Sequence, residues 1–223
     1  MSLLSTSKLI NFKSNKKNNF FAPEWDYYII ESVIQKVDFK KLKNLFLSKE
    51  SEILKLPIID EAKSDAYTGL GLNNTHARYS QYNIFTWRDN EIEKIKKSII
   101  ELHNKLLNYL KLEIPNNLYA QCWVNIMRKN EEIKPHLHGL CPDTYLGGTI
   151  CVQASNTDTI YMNAVNQIND PELYISKNET GKISIFQGCL PHYTSKHKDD
   201  EERITIAFDL SLIQRNSNFI SIL

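Results

Sequence analysis

Two histidines separated by one residue, His136 and His138, form the clearest chemical pattern in the sequence, and His192 follows Pro191 more than fifty residues later. Side chains at positions i and i+2 of a strand project from the same face, so both imidazoles of the pair can reach one ion. His192 can close the site from a distant strand. Three protein ligands on one face leave coordination positions open for small molecules. The pattern therefore predicts a metal site formed by three histidines.

A second chemical element lies eleven residues after His192, where Arg203 and Thr205 begin a strand-like run over 203–210. One face of this strand is apolar enough to be core, and it carries Ile204, Ile206, Phe208 and Leu210. The opposite face carries Arg203, Thr205, Ala207 and Asp209, and it lies either in a barrel interior or in solvent, as for an outward-facing arginine on an edge strand. A guanidinium inside a β-barrel needs an anion, and its planar fork binds a carboxylate through two hydrogen bonds, with a hydroxyl as a further donor. The run predicts a carboxylate-binding site.

Two further side chains could contact the bound anion. Asn125 shares a strand face with Trp123 and Met127, where it could hydrogen-bond a cosubstrate or serve as a structural side chain of the barrel. Tyr145 could donate to a carboxylate or stand at the rim of the site as an aromatic side chain.

Together these motifs resemble the iron- and 2-oxoglutarate-dependent oxygenases built on the double-stranded β-helix, closest to the branch that carries an HxH motif. The resemblance runs from about Trp123 to Leu210 and is carried by Trp123-Val124-Asn125, Lys134-Pro135-His136-Leu137-His138, Tyr145-Leu146-Gly147-Gly148-Thr149, Gly181-Lys182-Ile183-Ser184-Ile185-Phe186, Pro191-His192 and Arg203-Ile204-Thr205. It implies an oxidoreductase that uses Fe(II) and 2-oxoglutarate, with hydroxylation as the default outcome. It also implies that His136 and His192 are iron ligands and that Arg203 with Thr205 holds the distal carboxylate of 2-oxoglutarate.

The sequence departs from the commoner family pattern at His138, which stands where most members have Asp or Glu. The nearby acid Asp143 lies seven residues after His136, a spacing that does not fit the motif. A three-histidine site carries one more positive charge, so it should hold Fe(II) less tightly and attract an anionic cosubstrate at least as well. The remaining histidines are predicted not to bind the metal, and they are His76, His103 and His197.

Two other functions remain open from the sequence. A cupin-like dioxygenase would keep three histidines and need no 2-oxoglutarate, but the Arg203-Ile204-Thr205 element argues against it. A jelly-roll module that only binds a partner or supports a structure would need neither metal nor arginine. The substrate is not identified, and we slightly prefer an amino-acid side chain of a protein or peptide over a nucleobase or a small metabolite. Aromatic residues between 66 and 87 are expected at the substrate mouth.

Short strands with period-two alternation dominate after Leu118, at Tyr119–Met127, Leu146–Gln153, 159–162, 182–186 and 203–210. Helical periodicity is confined to the first half of the chain. The pattern is typical of an α+β protein, a jelly roll whose N-terminal helices pack against one sheet. We expect a polar N-terminal tail over 1–20 and one domain over 21–223, with mainly helical support in 21–118 and the metal-binding β core in 119–223.

The first half is expected to contain three helices. Residues from Asp26 to about Leu56 read as two helices, and the second has Asp38 as its cap. A long helix follows Asn90, which we expect to cap it, with an apolar stripe formed by Ile92, Ile95, Ile99, Leu102, Leu106 and Leu110. The segment 66–87 between them reads as loops with one or two strands.

The composition excludes several classes of partner. The formal net charge of the 223 residues is +1, so the basic excess typical of nucleic-acid-binding proteins is absent. No apolar run approaches the roughly 20 residues that a membrane helix needs. No secretory signal is apparent at Met1, and we expect a soluble cytoplasmic protein with a small-molecule cosubstrate. The sequence leaves the oligomeric state open.

Overall fold

A computed structural model describes residues 2–58, 65, 68–154, 156–163 and 170–223. The strands are β1 (Lys8–Lys13), β2 (Asp26–Val33), β3 (Tyr119–Met127), β4 (Leu146–Gln153), β5 (Asp158–Met162), β6 (Leu173–Lys177), β7 (Lys182–Gln187), β8 (His192–Thr194), β9 (Arg203–Ser211) and β10 (Ile220–Ser221). The α-helices are α1 (Phe39–Leu54) and α2 (Asn90–Leu110), and two 3-10 helices span Thr75–Gln81 and Ile84–Thr86. None of these described helices is long and apolar enough to cross a membrane.

Two antiparallel sheets form the β core. The larger sheet has the strand order β1-β2-β7-β4-β9-β3-β10, and the smaller has the order β6-β5-β8. Helices α1 and α2 cover the outer face of the larger sheet, where Phe46, Ile95 and Phe208 belong to the same buried cluster. This arrangement confirms the predicted α+β class with a double-stranded β-helix core and helical buttressing of one sheet.

The predicted strands of the second half are confirmed, and Tyr119–Met127 and Leu146–Gln153 have the predicted bounds. The short strands β6, β8 and β10 were not predicted, because runs of two to five residues carry too little period-two pattern to be recognised.

The prediction of a helix beginning at Asp26 is wrong, because Asp26–Val33 is strand β2. The strand lies between β1 and β7, so both of its faces are covered. Ile29 and Ile30 are fully buried in two different clusters. A strand buried on both faces is apolar at neighbouring positions, and over eight residues periodicity alone cannot distinguish it from a buried helix. Aromatic and β-branched residues favour the strand.

The expectation of a polar tail over 1–20 also needs correction. Strand β1 pairs with β2 along its whole length, from Lys8 opposite Glu31 to Lys13 opposite Asp26. Leu4 and Phe12 are 5% exposed. The expected boundary between residues 20 and 21 therefore falls inside the connection between two paired strands, because the lysines and asparagines there mask a short alternating apolar pattern.

The helices agree more closely with the sequence. The Asp38 side chain caps α1 by accepting from the backbone N–H of Lys41. Helix α2 begins at Asn90 but is capped by Asp89, one residue before the expected cap, whose carboxylate accepts from Glu91 and Ile92. The apolar stripe is confirmed, since Ile92, Ile95, Ile99 and Leu102 are fully buried.

The segment before α2 forms two 3-10 helices, and its described residues 68–87 contain no strand. Asn74 and Thr75 fix the first of these helices to β3. The Asn74 amide donates to the carbonyl of Ile126 at 2.7 Å, and the Thr75 hydroxyl donates to that of Val124 at 2.6 Å. The next residue, His76, is thereby held against β3, beside the site described below.

Candidate active site

Backbone pairing brings His136 and His192 together. The N–H of His136 donates to the carbonyl of His192 at 3.0 Å, and the reverse bond measures 2.9 Å. The two imidazole centroids are 4.4 Å apart. Two residues on, at a bend outside the named strands, the N–H of His138 donates to the carbonyl of Gly188 at 2.8 Å. The i, i+2 spacing thus places both imidazoles on the side of His192.

The three predicted histidines form one cluster. One ring nitrogen from each of His136, His138 and His192 lies within 4.8 Å of the corresponding nitrogens of the other two, close enough for all three to hold a single metal ion. The Nδ1 atom of His136 is 2.9 Å from the carbonyl oxygen of Lys134, and that of His192 is 3.0 Å from that of Leu190. Because a carbonyl only accepts, both Nδ1 atoms carry the proton, and Nε2 is the nitrogen available to a metal.

The third histidine has a carboxylate as its partner. His138 Nδ1 hydrogen-bonds Oδ1 of Asp209, which stands on β9 six residues after Arg203. A carboxylate behind a histidine ligand fixes the ring and raises its basicity. The sequence analysis placed Asp209 on the inward face of β9 but gave it no role. Its period-two spacing from Arg203 can be read from the sequence. Its contact with His138, 71 residues away, cannot be read from the sequence.

The ring of His138 occupies a space that depends on Gly147 of β4. A Cβ atom at position 147 would lie 2.6 Å from Nδ1 of His138, closer than any ordinary contact. In the sheet, Gly147 stands opposite Asp209 on one side and Phe186 on the other. Because Gly147 has no side chain, the imidazole of His138 can occupy this space.

Burial keeps His136 and His192 neutral. Burial and the neighbouring His138 ring lower the pKa of His136 to about 3. Burial and the two neighbouring imidazoles hold the pKa of His192 well below its ordinary value. Neutral imidazoles are the form that binds a metal, so the donor set fits a divalent first-row transition ion.

Arg203 is buried without an anionic partner. Its side chain is 2% exposed, and no carboxylate of the described residues lies within ion-pair distance of it. Nη1 contacts the sulfur of Met127 at 3.2 Å, which is a weak acceptor, and Nε has no partner. Burial lowers the pKa of the guanidinium. A buried cation in this state requires an anion, so the donor fits a bound carboxylate.

One cavity, here called the inner cavity, joins Arg203 to the histidines. Its volume is about 40 Å³, and Thr205, Asn125 and all three clustered histidines line it together with Arg203. Asn125 and Thr205 are direct cross-strand neighbours, as are Met127 and Arg203. The inward face predicted for β9 is thereby confirmed at positions 203, 205 and 207.

The structure does not bring Tyr145 into this cavity. Its hydroxyl pairs with Nε2 of His103 on α2 at 2.8 Å, and its ring packs against the main core. Gly147 and Thr149 of β4 face the site, whereas Tyr145 precedes the strand and its side chain turns toward α2. Asp143 contacts Arg215 only through its backbone carbonyl.

Sequence reasoning overlooked His76. It is expected not to bind the metal, and it is not part of the three-histidine cluster. It nevertheless lines the inner cavity, 4% exposed, with Nδ1 close to both Asn125 and Trp123. Burial lowers its pKa to about 4, so the ring is neutral. No sequence signal pairs residue 76 with strand β3.

Comparison with known proteins points to one family. Residues 121–209, less than half of the chain, match the family model described as “Putative 2OG-Fe(II) oxygenase”. Among curated proteins, none matches the sequence significantly.

Several solved structures share the fold. A prolyl-4-hydroxylase from Pseudomonas putida aligns over 82% of this chain and 87% of its own, with 9% identity and a TM-score of 0.54. The non-heme monooxygenase ThoJ, as its Ni complex, aligns over 83% and 76%, with 13% identity and a TM-score of 0.52. The carbocyclase SnoK from nogalamycin biosynthesis aligns over 82% and 79%, with 10% identity and a TM-score of 0.51. The chain spans only 46% of a Burkholderia pseudomallei oxidoreductase of the 2OG-Fe(II) oxygenase family, at a TM-score of 0.37.

The matched region contains the histidine cluster, the glycine that makes room for it, and the strand with the buried arginine. The family uses Fe(II) and 2-oxoglutarate, and the donors present here fit both. Over residues 121–209 the chain therefore resembles the 2OG-Fe(II) oxygenases, and it shares the double-stranded β-helix fold of the similar structures.

Proposed function

We propose that this oxygenase hydroxylates an amino-acid side chain of a protein or peptide. The reaction would consume 2-oxoglutarate, dioxygen and a C–H bond, and would yield succinate, carbon dioxide and an alcohol. The observation that carries the proposal is the buried, unpaired Arg203 in the same cavity as three histidines whose free nitrogens converge. Hydroxylation is the simplest outcome for such a site. The similar folds include a hydroxylase, a monooxygenase and a carbocyclase, so the fold does not select among these reactions.

In this proposal His136, His138 and His192 hold Fe(II) through Nε2. The carbonyl oxygens of Lys134 and Leu190 keep the protons of the first and third rings on Nδ1, away from the metal. Asp209 does the same for His138 and supplies a negative charge one bond further out than the commoner carboxylate ligand would.

Arg203 and Thr205 bind the distal carboxylate of 2-oxoglutarate at the closed end of the inner cavity, and Asn125 lies along its length. The guanidinium fork offers paired donors, and Nε has no competing protein partner. Tyr145 has no part in this proposal, because its hydroxyl is engaged by His103.

The bound iron and cosubstrate supply the oxidising chemistry, and the protein supplies orientation and exclusion of water. The rings of Trp123 and Phe186 pack against the His138 ring, with centroid distances of 6.0 and 5.4 Å. They close the site around the cluster. The preference for a peptide substrate is supported by the small volume of the inner cavity, about 40 Å³. A side chain that enters from solvent fits such a site.

The alternative without 2-oxoglutarate is disfavoured by the same arginine. A three-histidine dioxygenase of the cupin kind has no need of a buried cation about one cosubstrate length from the metal. Leaving that cation unpaired is costly, because an isolated charge loses several kcal/mol of solvation on burial.

The test is the anaerobic affinity of the Fe(II)-loaded protein for 2-oxoglutarate. Truncating one partner of a desolvated charge pair costs roughly 2–5 kcal/mol. We therefore expect Arg203→Ala to weaken binding by about 30-fold or more, at 1.4 kcal/mol per tenfold. Arg203→Lys should recover little of this, since lysine loses the fork. Thr205→Ala should cost on the order of 1 kcal/mol.

Arg128→Ala is the matched control, because Arg128 pairs with Glu50 at the surface and does not line the inner cavity. It should leave the affinity unchanged. The proposal is wrong if the wild-type protein binds no 2-oxoglutarate, or if wild type and Arg203→Ala bind it with equal affinity. Either result would favour the cupin-like dioxygenase instead.

A further inference from the structure

A second cavity, here called the outer cavity, adjoins the inner cavity at the histidine cluster. Its volume is about 100 Å³, and it shares His76, Trp123, His136 and His138 with the inner cavity. Its other lining residues are Tyr79, Leu137 and Asp209. Arg203 and Thr205 do not reach it. The carboxylate anchor thus stands at the inner end and the outer cavity at the opposite side of the cluster.

His76 forms a fixed part of the wall between the two cavities. It lies in the 3-10 helix Thr75–Gln81, whose first residues are bonded to β3. Its ring stacks on Tyr79 with centroids 5.6 Å apart and planes inclined by 21°. The ring is therefore held in one orientation before any ligand arrives.

The hydrogen bonds of His76 decide where its proton is. The indole Nε1–H of Trp123 points at His76 Nδ1 from 3.2 Å, and an indole nitrogen can only donate. Nδ1 is therefore the acceptor, and the neutral ring carries its proton on Nε2. Oδ1 of Asn125 lies 2.9 Å from the same nitrogen, so two acceptors would face each other there, and we assign the amide the rotated orientation in which its NH₂ group donates to Nδ1. The opposite tautomer would set two N–H groups against each other.

The Nε2–H group of His76 is buried and has no protein acceptor. Leaving a buried donor unsatisfied costs roughly 1–3 kcal/mol, which a ligand oxygen at this point would recover. Oδ1 of Asp209 accepts from His138, and the outer cavity offers a ligand the His76 donor, the Tyr79 hydroxyl and aromatic walls.

Resting on the proposed oxygenase function, we propose that the outer cavity binds the substrate through a neutral carbonyl or carboxamide oxygen that accepts a hydrogen bond from His76 Nε2. A guanidinium or ammonium group would place donor against donor there. A carboxamide or peptide carbonyl satisfies the donor and stacks its plane on the aromatic walls. His76 is thus a substrate-binding residue, distinct from the metal ligands and from the cosubstrate anchor.

The experiment uses the full chain loaded with Zn(II) in place of Fe(II) and with 2-oxoglutarate, so that no turnover occurs. Histidine is labelled with ¹⁵N, and the protein is titrated with N-methylacetamide as the acceptor probe or with N-methylguanidinium as the donor-only probe. We expect His76 to show a protonated Nε2 whose resonance moves saturably with N-methylacetamide alone. His103, whose Nε2 already pairs with Tyr145, is the internal control and should not respond.

His76→Phe keeps the ring and removes the donor, and it should abolish saturable N-methylacetamide binding. His76→Gln offers an amide donor and should restore part of it. Metal and 2-oxoglutarate affinities are measured first, so a failure of the proposed function appears before any probe is added. The inference is overturned by an unresponsive His76 in the wild-type protein, by a response to N-methylguanidinium instead, or by loss of 2-oxoglutarate affinity in His76→Phe. The wild-type titration decides the matter even if both variants fail to fold.

Discussion

Each of the three clustered histidines has its Nδ1 hydrogen-bonded to an oxygen, two backbone carbonyls and one carboxylate. In all three residues Nε2 is thus the nitrogen available to a metal, although the residues come from separate segments. The replacement of the family's carboxylate ligand by His138 is offset by Asp209, which restores the negative charge behind the ring. A metal held by the three histidines would therefore have the usual charge balance around it, with a nitrogen ligand in place of a carboxylate oxygen.

The first prediction at this scale concerns the ligands themselves. Purified protein should bind about one Fe(II) per chain, and His136→Ala or His192→Ala should abolish binding, since each removes one of three donors. Elemental analysis after anaerobic loading measures this. His103→Gln, outside the cluster, should bind iron normally. Equal iron content in all of these proteins would exclude the proposed site.

The second prediction concerns Asp209 as a positioning residue. Replacing an outer partner of a ligating histidine typically costs about 10–100-fold in metal affinity, so Asp209→Asn should weaken Fe(II) binding by that amount. Asp143→Asn is the control and should have no effect. Co(II) loading gives a second readout, because a reoriented His138 changes the ligand-field spectrum. An unchanged spectrum and an unchanged Fe(II) affinity would show that Asp209 does not position His138.

At the scale of elements, strand β4 shapes the site because two of its residues have no side chain. Gly147 and Gly148 are neighbours with opposite orientation. A Cβ at Gly147 would meet His138, whereas one at Gly148 would lie 2.0 Å from Phe208 in the core beneath the helices. One strand thus makes room for the metal cluster on one face and for an aromatic ring on the other.

The two glycines give a matched pair of variants. Gly147→Ala should displace His138 and weaken Fe(II) binding by about tenfold or more, because a ligand or its support is moved, with little change in unfolding. Gly148→Ala should instead lower stability, since overpacking a core typically costs about 1–3 kcal/mol. Metal titration and urea unfolding of both variants separate the two effects. The reverse pattern would contradict the assignment of the two faces.

At the scale of the whole molecule, a buried polar cluster ties the two sheets together. Glu31 of β2, in the larger sheet, accepts from Ser176 and Tyr174 of β6, in the smaller sheet. It also pairs with Lys182 of β7 at 3.2 Å, and both side chains are mostly buried. Burial and the Glu31 carboxylate raise the pKa of Tyr174, which keeps the phenol protonated as a donor.

Removing Glu31 should therefore loosen the sandwich. Breaking a buried pair by deleting one partner costs roughly 3–5 kcal/mol, and we expect a loss of this order in the free energy of unfolding of Glu31→Ala. Glu31→Gln should cost less, because the amide still accepts from Ser176. The exposed pair of Lys129 and Asp200 provides the control, and Asp200→Ala should leave unfolding unchanged. Equal midpoints for Glu31→Ala and wild type would show that the cluster does not hold the sheets together.

The sequence by itself determined the chemistry of the metal site and the strands that carry it. The i, i+2 pair His136 and His138 and the alternation from Arg203 to Asp209 are local patterns, because neighbours along a strand fix which face each side chain occupies. Strands β3 and β4, with one face toward the cavity and one toward the core, were recognisable for the same reason.

Only the tertiary structure decided the contacts between distant segments. The pairing of Asp209 with His138, the place of His76 against β3, and the turn of Tyr145 toward His103 depend on which segments become neighbours, and spacing along the chain does not encode that. Strand β2 was misread for a related reason, since a strand covered on both faces loses the alternation that would identify it. The residue types of the candidate ligands follow from local sequence patterns. The contacts that surround them form only when distant segments come together in the folded chain.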